Sequence, residues 1–453
     1  MNIDAENANV RAALVNSGKY SIPEADAKLA AAMISIVIGP AVVSTVAGQA
    51  AFLTAVATAS RCFGRVGIAG ELDVPLVVPL PIVSLTLGEA AKRLGATETG
   101  ELETGRRIAI GDDVPVTPLW DVQAFWDGWV VGVTARYRRQ CIGRSNFALS
   151  GIAAGSLAVG QAFLAEQGDQ RAGRMTQCLS LWLPDVAPAD ATNPSLDDIS
   201  LPRALWLVGI GNLGQAYLWS LFALPYADPS SVMLFLQDDD LVTSTNWGTS
   251  LLVERGRYDV LKTKVAEEWA DRRKFQVRRI DRRLDKTCRR RDSEPGLALS
   301  GLDRMPPRRL LGLPGFDHVI DCGLGATYSS YQDIRMNVFD RQHDPAQHFD
   351  GVEDQTEQIA KSLRELHAYK ELTRALDDGG CGAALLSEKG VAVPFVSAFA
   401  GALAVTQAIR IASNEAPYRG LRVTSGDLKT LKLVAGDRPR RPTIETTASS
   451  PAS

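Results

Sequence analysis

The sequence has few of the residues that build metal centres and disulfide frameworks. Six cysteines are scattered singly over 453 residues without a CxxC pair, and only four histidines are present. This spacing argues against a four-thiolate zinc site, because such sites take their ligands from closely spaced cysteine pairs. The histidines show no metal-binding spacing, so we predict no metal-ligating residues.

Strong net charge and long apolar runs are also missing. The formal charge of -3 provides no overall attraction to nucleic acid or to a membrane. One basic run, residues 278–291, is typical of a solvated loop. The most apolar stretch, Val42 to Ser60, is interrupted by threonines and a glutamine, which predicts a buried helix rather than a membrane span. Without a secretory signal at the start, we expect a protein of the reducing cytoplasm.

The order of strand-like and helical segments predicts an α/β protein with two doubly wound, Rossmann-like units in tandem. Residues 1–30 are expected to form a polar helical arm, and residues 31–186 the first unit. Residues 187–202 are rich in Pro, Asp and Ser, which is typical of a linker. Residues 203–435 then form the second unit, and the polar residues 436–453 are expected to be a disordered tail.

The first unit lacks a good phosphate-binding turn. Strands are expected at Met33–Ile38, Val66–Ile68 and Pro75–Val83, with a helix within Val42–Cys62. The turn after the first strand carries Gly39-Pro40 rather than GxGxxG. If this unit is a nucleotide-binding fold, its phosphate loop is therefore degenerate.

An internal repeat relates the two units. Ala154–Ala162 (AGSLAVGQA) and Ala400–Ala408 (AGALAVTQA) are identical at seven of nine positions. Each is followed by a strand-like run that ends in aspartate, Leu179 to Asp185 and Leu421 to Asp427. Two Ala-rich helices can match by composition alone, but the similar spacing of the runs favours duplication. The chain would then be a pseudo-dimer in itself, and a homodimer of such chains stays possible.

The second unit carries a glycine-rich turn. Leu205–Val208 predicts a buried strand, and a helix is expected over Gln215–Leu224. Between them lies Gly209-Ile-Gly211-Asn212-Leu-Gly214. Such glycines let phosphates approach the backbone, while the helix amino end supplies N–H donors and a positive dipole. The motif alone fits NAD as well as ATP, and it can also be purely structural.

The acidic strand tip, a pair of aspartates after the next predicted strand, helps to distinguish ATP from NAD as the bound nucleotide. The strand Ser231–Leu236 is followed by Asp238 and Asp240. An acid at this position can accept hydrogen bonds from ribose hydroxyls. An NAD site is expected to have one such acid, whereas two are present here. Further polar residues follow at Asn246, Lys262 and Lys264.

These residues resemble the signature of ubiquitin-activating and ThiF/MoeB-like adenylating enzymes, D-x-D-x-V-x-x-[ST]-N followed by D-[VI]-x-[KRQ]-x-K. It stands here as residues 238–246 (DDDLVTSTN) and 259–264 (DVLKTK). Residues 316–322 (FDHVIDC) and 390–396 (GVAVPFV) resemble later segments of that family. The resemblance covers about residues 203–427. It implies that the chain adenylates a terminal carboxylate of a small carrier protein or peptide with ATP and Mg²⁺.

The resemblance also implies roles for individual residues. It assigns contacts with ATP to Gly209, Gly211, Asn212, Gly214, Asp238, Asp240, Asn246, Lys262 and Lys264. Asp238 would hold the ribose, Asn246 would contact phosphate or magnesium-bound oxygens, and Lys264 would neutralise the triphosphate. A solvated helix face is the alternative interpretation of the two lysines.

The sequence departs from the family at two positions. Thr249-Ser250 stands where the family has an Arg-Gln pair, and Leu324 where it has a magnesium-binding aspartate. Asp321 could replace that aspartate, and an arginine of the first unit or of the 255–257 loop could replace the missing one. These departures favour a second hypothesis, a non-catalytic scaffold that partners another protein. An NAD-dependent oxidoreductase is the third.

Cys381 is the candidate nucleophile for a thioester intermediate, because its flanking glycines make it accessible. The neighbouring Asp377 and Asp378 would raise rather than lower its pKa. Cys322, at the end of a predicted strand, is expected to be a small buried residue instead.

Overall fold

Two α/β units, each built on one β-sheet, follow one another along the chain. The computed structural model describes residues 6–115, 119–135, 145–325, 327–352, 356–376 and 391–434. The candidate nucleophile Cys381 and the predicted tail, residues 436–453, lie outside the described residues. The predicted linker, residues 187–202, lies between the last strand of the first sheet and the first strand of the second.

Two helices precede the first sheet, α1 (Ala8–Val15) and α2 (Ile22–Ala31). The prediction of a polar arm is wrong for α1, because nearly all of its residues are buried, including Arg11. Helix α2 starts with a capping box, in which the Ser21 hydroxyl accepts the Glu24 N–H and the Glu24 carboxylate accepts the Ser21 N–H.

The first sheet has the strand order β3-β2-β1-β4-β5-β6-β7. Its strands are β1 (Met33–Ile38), β2 (Arg65–Ala69), β3 (Glu98–Thr99), β4 (Arg106–Ile110), β5 (Val122–Asp127), β6 (Val130–Ala135) and β7 (Gln177–Ser180). Strands β1 to β5 are parallel, whereas β6 and β7 run antiparallel to their neighbours. Its helices are α3 (Val46–Ala59), α4 (Leu87–Arg93) and α5 (Ala148–Glu166). The strands expected at Met33–Ile38 and Val66–Ile68 and the buried helix between them are confirmed.

The strand predicted at Pro75–Val83 is wrong. Prolines at 75, 79 and 81 have no N–H to give to a strand ladder. The N–H groups of Val77 and Val78 donate to the side-chain Oε1 of Gln49, at 2.7 and 3.1 Å, rather than to another strand. This segment is therefore a loop held by a buried glutamine of α3.

The second sheet has the order β10-β9-β8-β11-β12-β13-β14-β15. Its strands are β8 (Ala204–Val208), β9 (Met233–Gln237), β10 (Gln276–Ile280), β11 (Leu297–Ser300), β12 (His318–Leu324), β13 (Asp333–Asp340), β14 (Gly420–Thr424) and β15 (Asp427–Val434). Its helices are α6 (Asn212–Phe222), α7 (Ser244–Trp247), α8 (Lys262–Arg272), α9 (Met305–Arg308), α10 (Pro345–His348), α11 (Thr356–Arg364), α12 (His367–Leu376) and α13 (Pro394–Ala412).

The two sheets share one connectivity. The first seven strands of the second sheet repeat the order and the parallel and antiparallel pairing of the first. The repeat-bearing helices α5 and α13 each come directly before the last shared strand, β7 or β14. Both strands end earlier than predicted, at Ser180 and Thr424, so the aspartates at 185 and 427 follow rather than end them. The predicted fold class is confirmed.

A common hydrophobic core joins the sheets through α3, α5, α6 and α13. The rings of Phe163 on α5 and Phe395 on α13 have their centroids 5.4 Å apart. Helices α5 and α13 are long and apolar enough to cross a membrane, but 94% and 89% of their most apolar windows are buried inside the protein. Their composition is therefore explained by packing on several sides.

Candidate nucleotide-binding site

The glycine turn lies at the carboxyl end of β8, an interior strand of the second sheet. Gly209 has a φ of 84°, a conformation that residues with a side chain rarely adopt. A Cβ on Gly214 would lie 2.1 Å from the Gly209 carbonyl oxygen, so this glycine allows α6 to pack closely on the turn. A Cβ on Gly211 would have no atom of the described residues within 4 Å. Two glycines thus shape the turn, and the middle one leaves open space beside the backbone.

Helix α6 presents its amino end to this space. Gly211 is the N-cap residue, and no side chain in the described part of the chain caps the helix. Free N–H groups and the positive end of the helix dipole make this a favourable place for an anion. The side-chain Oδ1 of Asn212 is buried without a hydrogen-bond partner among the described residues. The turn therefore offers backbone donors for a phosphate and one unused side-chain acceptor.

Asp238 connects the neighbouring strand to the glycine turn. Its Oδ2 accepts the Ile210 N–H at 2.6 Å, and its Oδ1 accepts the Asp240 N–H at 2.8 Å. Burial raises the pKa of Asp238, against the opposing effects of Lys262 and of these two backbone bonds. Each carboxylate oxygen can accept a further bond. Asp238 therefore orders the turn and retains acceptor capacity for further donors.

The other two aspartates of the strand tip are paired with cations. Asp240 lies 2.8 Å from the Lys262 ammonium, and Asp239 lies 3.0 Å from the Arg283 guanidinium. Carboxylate oxygens of Asp238, Asp239 and Asp240 approach one another within 4.8 Å, as in a cation site. Because two of the three charges are already balanced, these residues do not fit a resident metal ion.

The side chain of Lys264 pairs with a residue of its own helix, α8. Its Nζ lies 2.8 Å from Glu267, and this hydrogen bond raises the pKa of the ammonium. The Lys264 side chain is 44% exposed, and Glu267 also pairs with Arg279 of β10. The structure thus brings Lys262, but not Lys264, into contact with the acidic strand tip.

Asn246 organises the start of the segment after the acidic tip. Its Oδ1 accepts the Thr243 N–H at 2.8 Å in a capping box of the short helix α7. Thr249 and Ser250, which replace the Arg-Gln pair, are buried. The arginines of the nearby loop are engaged as well, Arg255 with Glu6 at 2.8 Å and Arg257 with Glu268 at 2.6 Å.

Asp321 is part of a buried ion pair. It is fully buried in the middle of β12 and accepts hydrogen bonds from the Nε and Nη2 of Arg308, the former at 3.1 Å. Burial raises the pKa of Asp321, whereas Arg308 lowers it. Because the Asp321 carboxylate is already paired with Arg308, it fits a structural role better than the role of a magnesium ligand. Burial also raises the pKa of the adjacent Cys322 to about 12, as expected for an unreactive core thiol.

The corresponding turn of the first sheet is filled by protein groups. The Ala41 N–H donates to the Asp113 carboxylate at 2.7 Å. The hydroxyl of Thr45 and the amide oxygen of Asn146 accept N–H groups in the first turn of α3, at 3.0 and 2.8 Å. A carboxylate thus lies where a phosphate would otherwise bind, which agrees with the predicted degenerate phosphate loop.

Two residues at the site carry no sequence signal that points to them. Gln215, one residue after the glycine motif, donates from Nε2 to the Ile210 carbonyl at 3.2 Å and accepts the Leu252 N–H at 2.9 Å. Arg61 of the first half donates to carbonyls of residues 247–253. Only the position of Gln215 beside the motif could have drawn attention to it.

The sequence matches two family profiles along its length. Residues 33–181 match the BilD N-terminal domain, and residues 201–415 match the BilD C-terminal domain. The bacterial E1-like protein BilD of Collimonas sp. (strain OK412) is 30% identical over 426 residues, and the alignment covers 90% of each chain. The chain belongs to the BilD family of bacterial E1-like proteins. The first matched segment contains all seven strands of the first sheet, and the second contains strands β8 to β13 of the second sheet.

Solved structures with partial similarity include E. coli MccB. MccB crystallised with SeMet MccA is 12% identical, with a TM-score of 0.35, over 55% of this chain and 66% of that chain. MccB crystallised with ATP is also 12% identical, with a TM-score of 0.34, over 54% of this chain and 67% of that chain. This similarity is too low to transfer residue roles.

Proposed function

We propose that this member of the E1-like family is an ATP-dependent adenylyltransferase. Its substrate would be the C-terminal carboxylate of a small ubiquitin-like or sulfur-carrier protein, or of a peptide. One carboxylate oxygen attacks the α-phosphorus of ATP, and the bond from that phosphorus to the bridging oxygen breaks. Pyrophosphate leaves with the electron pair, and the acyl-adenylate remains. Such a transfer needs positioning and positive charge more than covalent help from the protein.

The open amino end of α6 beside Asp238 is the observation that carries this proposal. The glycine turn presents uncapped N–H groups next to a carboxylate that accepts the Ile210 N–H. Phosphates suit the first feature and ribose hydroxyls the second. Within the described residues of the first unit, Asp113 blocks the matching turn and no such combination is found.

Magnesium would enter as part of the MgATP substrate rather than as a resident ion. Asp239 and Asp240 are paired with Arg283 and Lys262, and Asp321 with Arg308. The phosphates themselves supply the oxygen ligands that Mg²⁺ prefers. In this proposal Asn246 contacts phosphate or magnesium-bound oxygens, and Lys264 turns from Glu267 towards the triphosphate.

A non-catalytic scaffold is the second candidate function. The buried Thr249 and Ser250 and the Arg308–Asp321 pair favour it, because these positions lack the free charges expected at a reacting triphosphate. Such a scaffold would bind nucleotide or another protein without forming an adenylate. An NAD-dependent oxidoreductase has less support, because the chain belongs to an E1-like family. Transfer of the activated carboxylate to Cys381 stays a prediction.

Exchange of labelled pyrophosphate into ATP tests the proposal. The full chain is incubated with ATP, Mg²⁺, labelled pyrophosphate and each candidate carrier protein encoded near its gene. We expect exchange that depends on an intact carrier C-terminus, because the reverse reaction needs an acyl-adenylate. A carrier that lacks its last residue is the matched control.

Calorimetric titration with ATP and with NAD separates the candidates. ATP binding together with carrier-dependent exchange supports the adenylyltransferase. ATP binding without exchange for every carrier supports the scaffold, and binding of NAD in preference to ATP contradicts both.

A further inference from the structure

Arg61 is a buried cation of the first half that reaches into the second. It follows α3 and is 5% exposed. Its Nε donates to the Trp247 carbonyl at 2.8 Å. Its Nη2 lies 3.2 to 3.3 Å from the carbonyl oxygens of residues 250, 251 and 253. The guanidinium also stacks on the Trp247 ring, 5.3 Å from its centroid.

Backbone carbonyls, rather than a carboxylate, compensate this charge. Among the described residues no acidic side chain forms a salt bridge with Arg61; the fifth carbonyl is that of Ala57 in the preceding helix α3. Burial lowers the pKa of Arg61 to about 10, so the side chain remains charged at neutral pH. Because an isolated buried charge is costly, the loop must hold its carbonyls around the guanidinium in a fixed arrangement.

A short series of hydrogen bonds leads from Arg61 to the glycine turn. Arg61 holds the Leu251 carbonyl, and the next N–H, of Leu252, donates to Gln215 at 2.9 Å. Gln215 in turn donates to the carbonyl of Ile210 at 3.2 Å. The Ile210 N–H is the group that Asp238 accepts. The first half is thereby connected to the turn expected to hold phosphate.

Thr54 provides a second connection between the halves. Its hydroxyl on α3 accepts the indole N–H of Trp219 on α6 at 2.9 Å, inside the core. Helix α6 is the helix whose amino end faces the open space at Gly211. Both the loop and the helix of the candidate site are therefore fastened to α3 or to the residues directly after it.

We propose that Arg61 is a positioning residue through which the first half fixes residues 246–253 and the glycine turn for ATP. The inference rests on the proposed function, because it presumes that ATP binds at this turn. It gives the first half, whose own phosphate-binding turn is blocked by Asp113, a function in nucleotide binding. Arg61 would then replace the missing Arg-Gln pair, because it orders the loop of residues 246–253 without contacting phosphate.

Substitution of Arg61 tests this role through ATP affinity. In Arg61→Met, the carbonyls of residues 247–253 lose their common donor, and the loop can relax. We expect the calorimetric Kd for ATP to rise at least tenfold in protein that remains folded. Arg107→Met is the matched control, because Arg107 is also 5% exposed and lies on β4, paired with Glu101. The control is expected to lose stability with an ATP Kd within twofold of the wild-type value.

Two further measurements cover the case in which Arg61→Met does not fold. Arg61→Lys keeps the charge but cannot span four carbonyls, and its Kd is expected to rise at least threefold. In Arg61→Ala protein that is folded without the additive, ethylguanidinium is expected to restore part of the ATP affinity while the folded fraction stays unchanged.

The outcomes distinguish this inference from the proposed function. Wild-type protein that does not bind ATP would contradict the proposed function and, with it, the role of Arg61. Wild-type protein that binds ATP, with unchanged Kd in Arg61→Lys and Arg61→Met, would overturn the role of Arg61 alone.

Discussion

At the residue scale, substitutions of the buried pair of Arg308 and Asp321 test whether Asp321 has a structural or a catalytic role. Arg308→Met would leave a fully buried carboxylate without its cation, at a cost of about 3–5 kcal/mol in the free energy of unfolding. Arg308→Met combined with Asp321→Leu removes both charges and should recover most of that loss. Urea unfolding of the two variants measures the difference. Equal losses would show that the pair is not coupled.

At the same scale, substitutions of Lys264 and of Glu267 are expected to change the affinity for ATP in opposite directions. If Lys264 must leave Glu267 to reach the triphosphate, Lys264→Ala should weaken ATP binding about tenfold or more, whereas Glu267→Gln should tighten it. Because solvent screens an ion pair this exposed, the gain is limited to about fivefold. Calorimetric ATP titrations of both variants test this. An unchanged Kd in Lys264→Ala would remove Lys264 from the site.

Sequence could not predict these residue-level arrangements. The motif placed Asp238 at the tip of β9, where it accepts the Ile210 N–H as a nucleotide-binding acid could. The orientation of Lys264 towards Glu267 depends on a rotamer choice that no spacing encodes. The pairing of Asp321 depends on Arg308, thirteen residues away in a separate short helix.

At the element scale, the glycine turn allows folding to be separated from ligand binding. Gly211→Ala adds a methyl group in open space, so the thermal midpoint should stay within about 1 °C while the methyl obstructs a phosphate and weakens ATP binding about tenfold or more. Gly214→Ala places its methyl 2.1 Å from the Gly209 oxygen and should destabilise the fold by about 1–3 kcal/mol. Thermal unfolding and ATP titration of each variant provide the readouts. Gly211→Ala with wild-type affinity would place the phosphates elsewhere.

Elements with a strong local signal were predictable, and those set by distant contacts were not. Apolar runs such as Met33–Ile38 and Leu205–Val208 form strands because they are buried on both faces of a parallel sheet. The run at 75–83 has similar hydrophobicity, but its prolines and the side chain of Gln49 hold it as a loop. Helix α1 appeared polar in sequence because the packing that buries Arg11 was not visible there.

At the scale of the whole molecule, the two halves share one hydrophobic core. The match between Ala154–Ala162 and Ala400–Ala408 pointed to paired units, and the helices that carry it pack against each other. What the sequence could not reveal is the dependence of the candidate site on the first half. Arg61 and the carbonyls it holds are separated by 186 to 192 residues, and each looks unremarkable in its local context.

The shared core predicts that neither half is stable alone. Residues 201–453 without the first half would expose α13, whose residues are almost all buried in the intact chain, and an apolar surface of that extent promotes aggregation. We therefore expect residues 201–453 to aggregate when expressed alone and to copurify in equal amounts with residues 1–200 when both are expressed together. A protease site inserted in residues 187–193 provides the control, because the cleaved chain should elute as one particle and keep its ATP affinity. Size-exclusion chromatography checks each case, and a monomeric second half with wild-type ATP affinity would contradict the dependence on the first half.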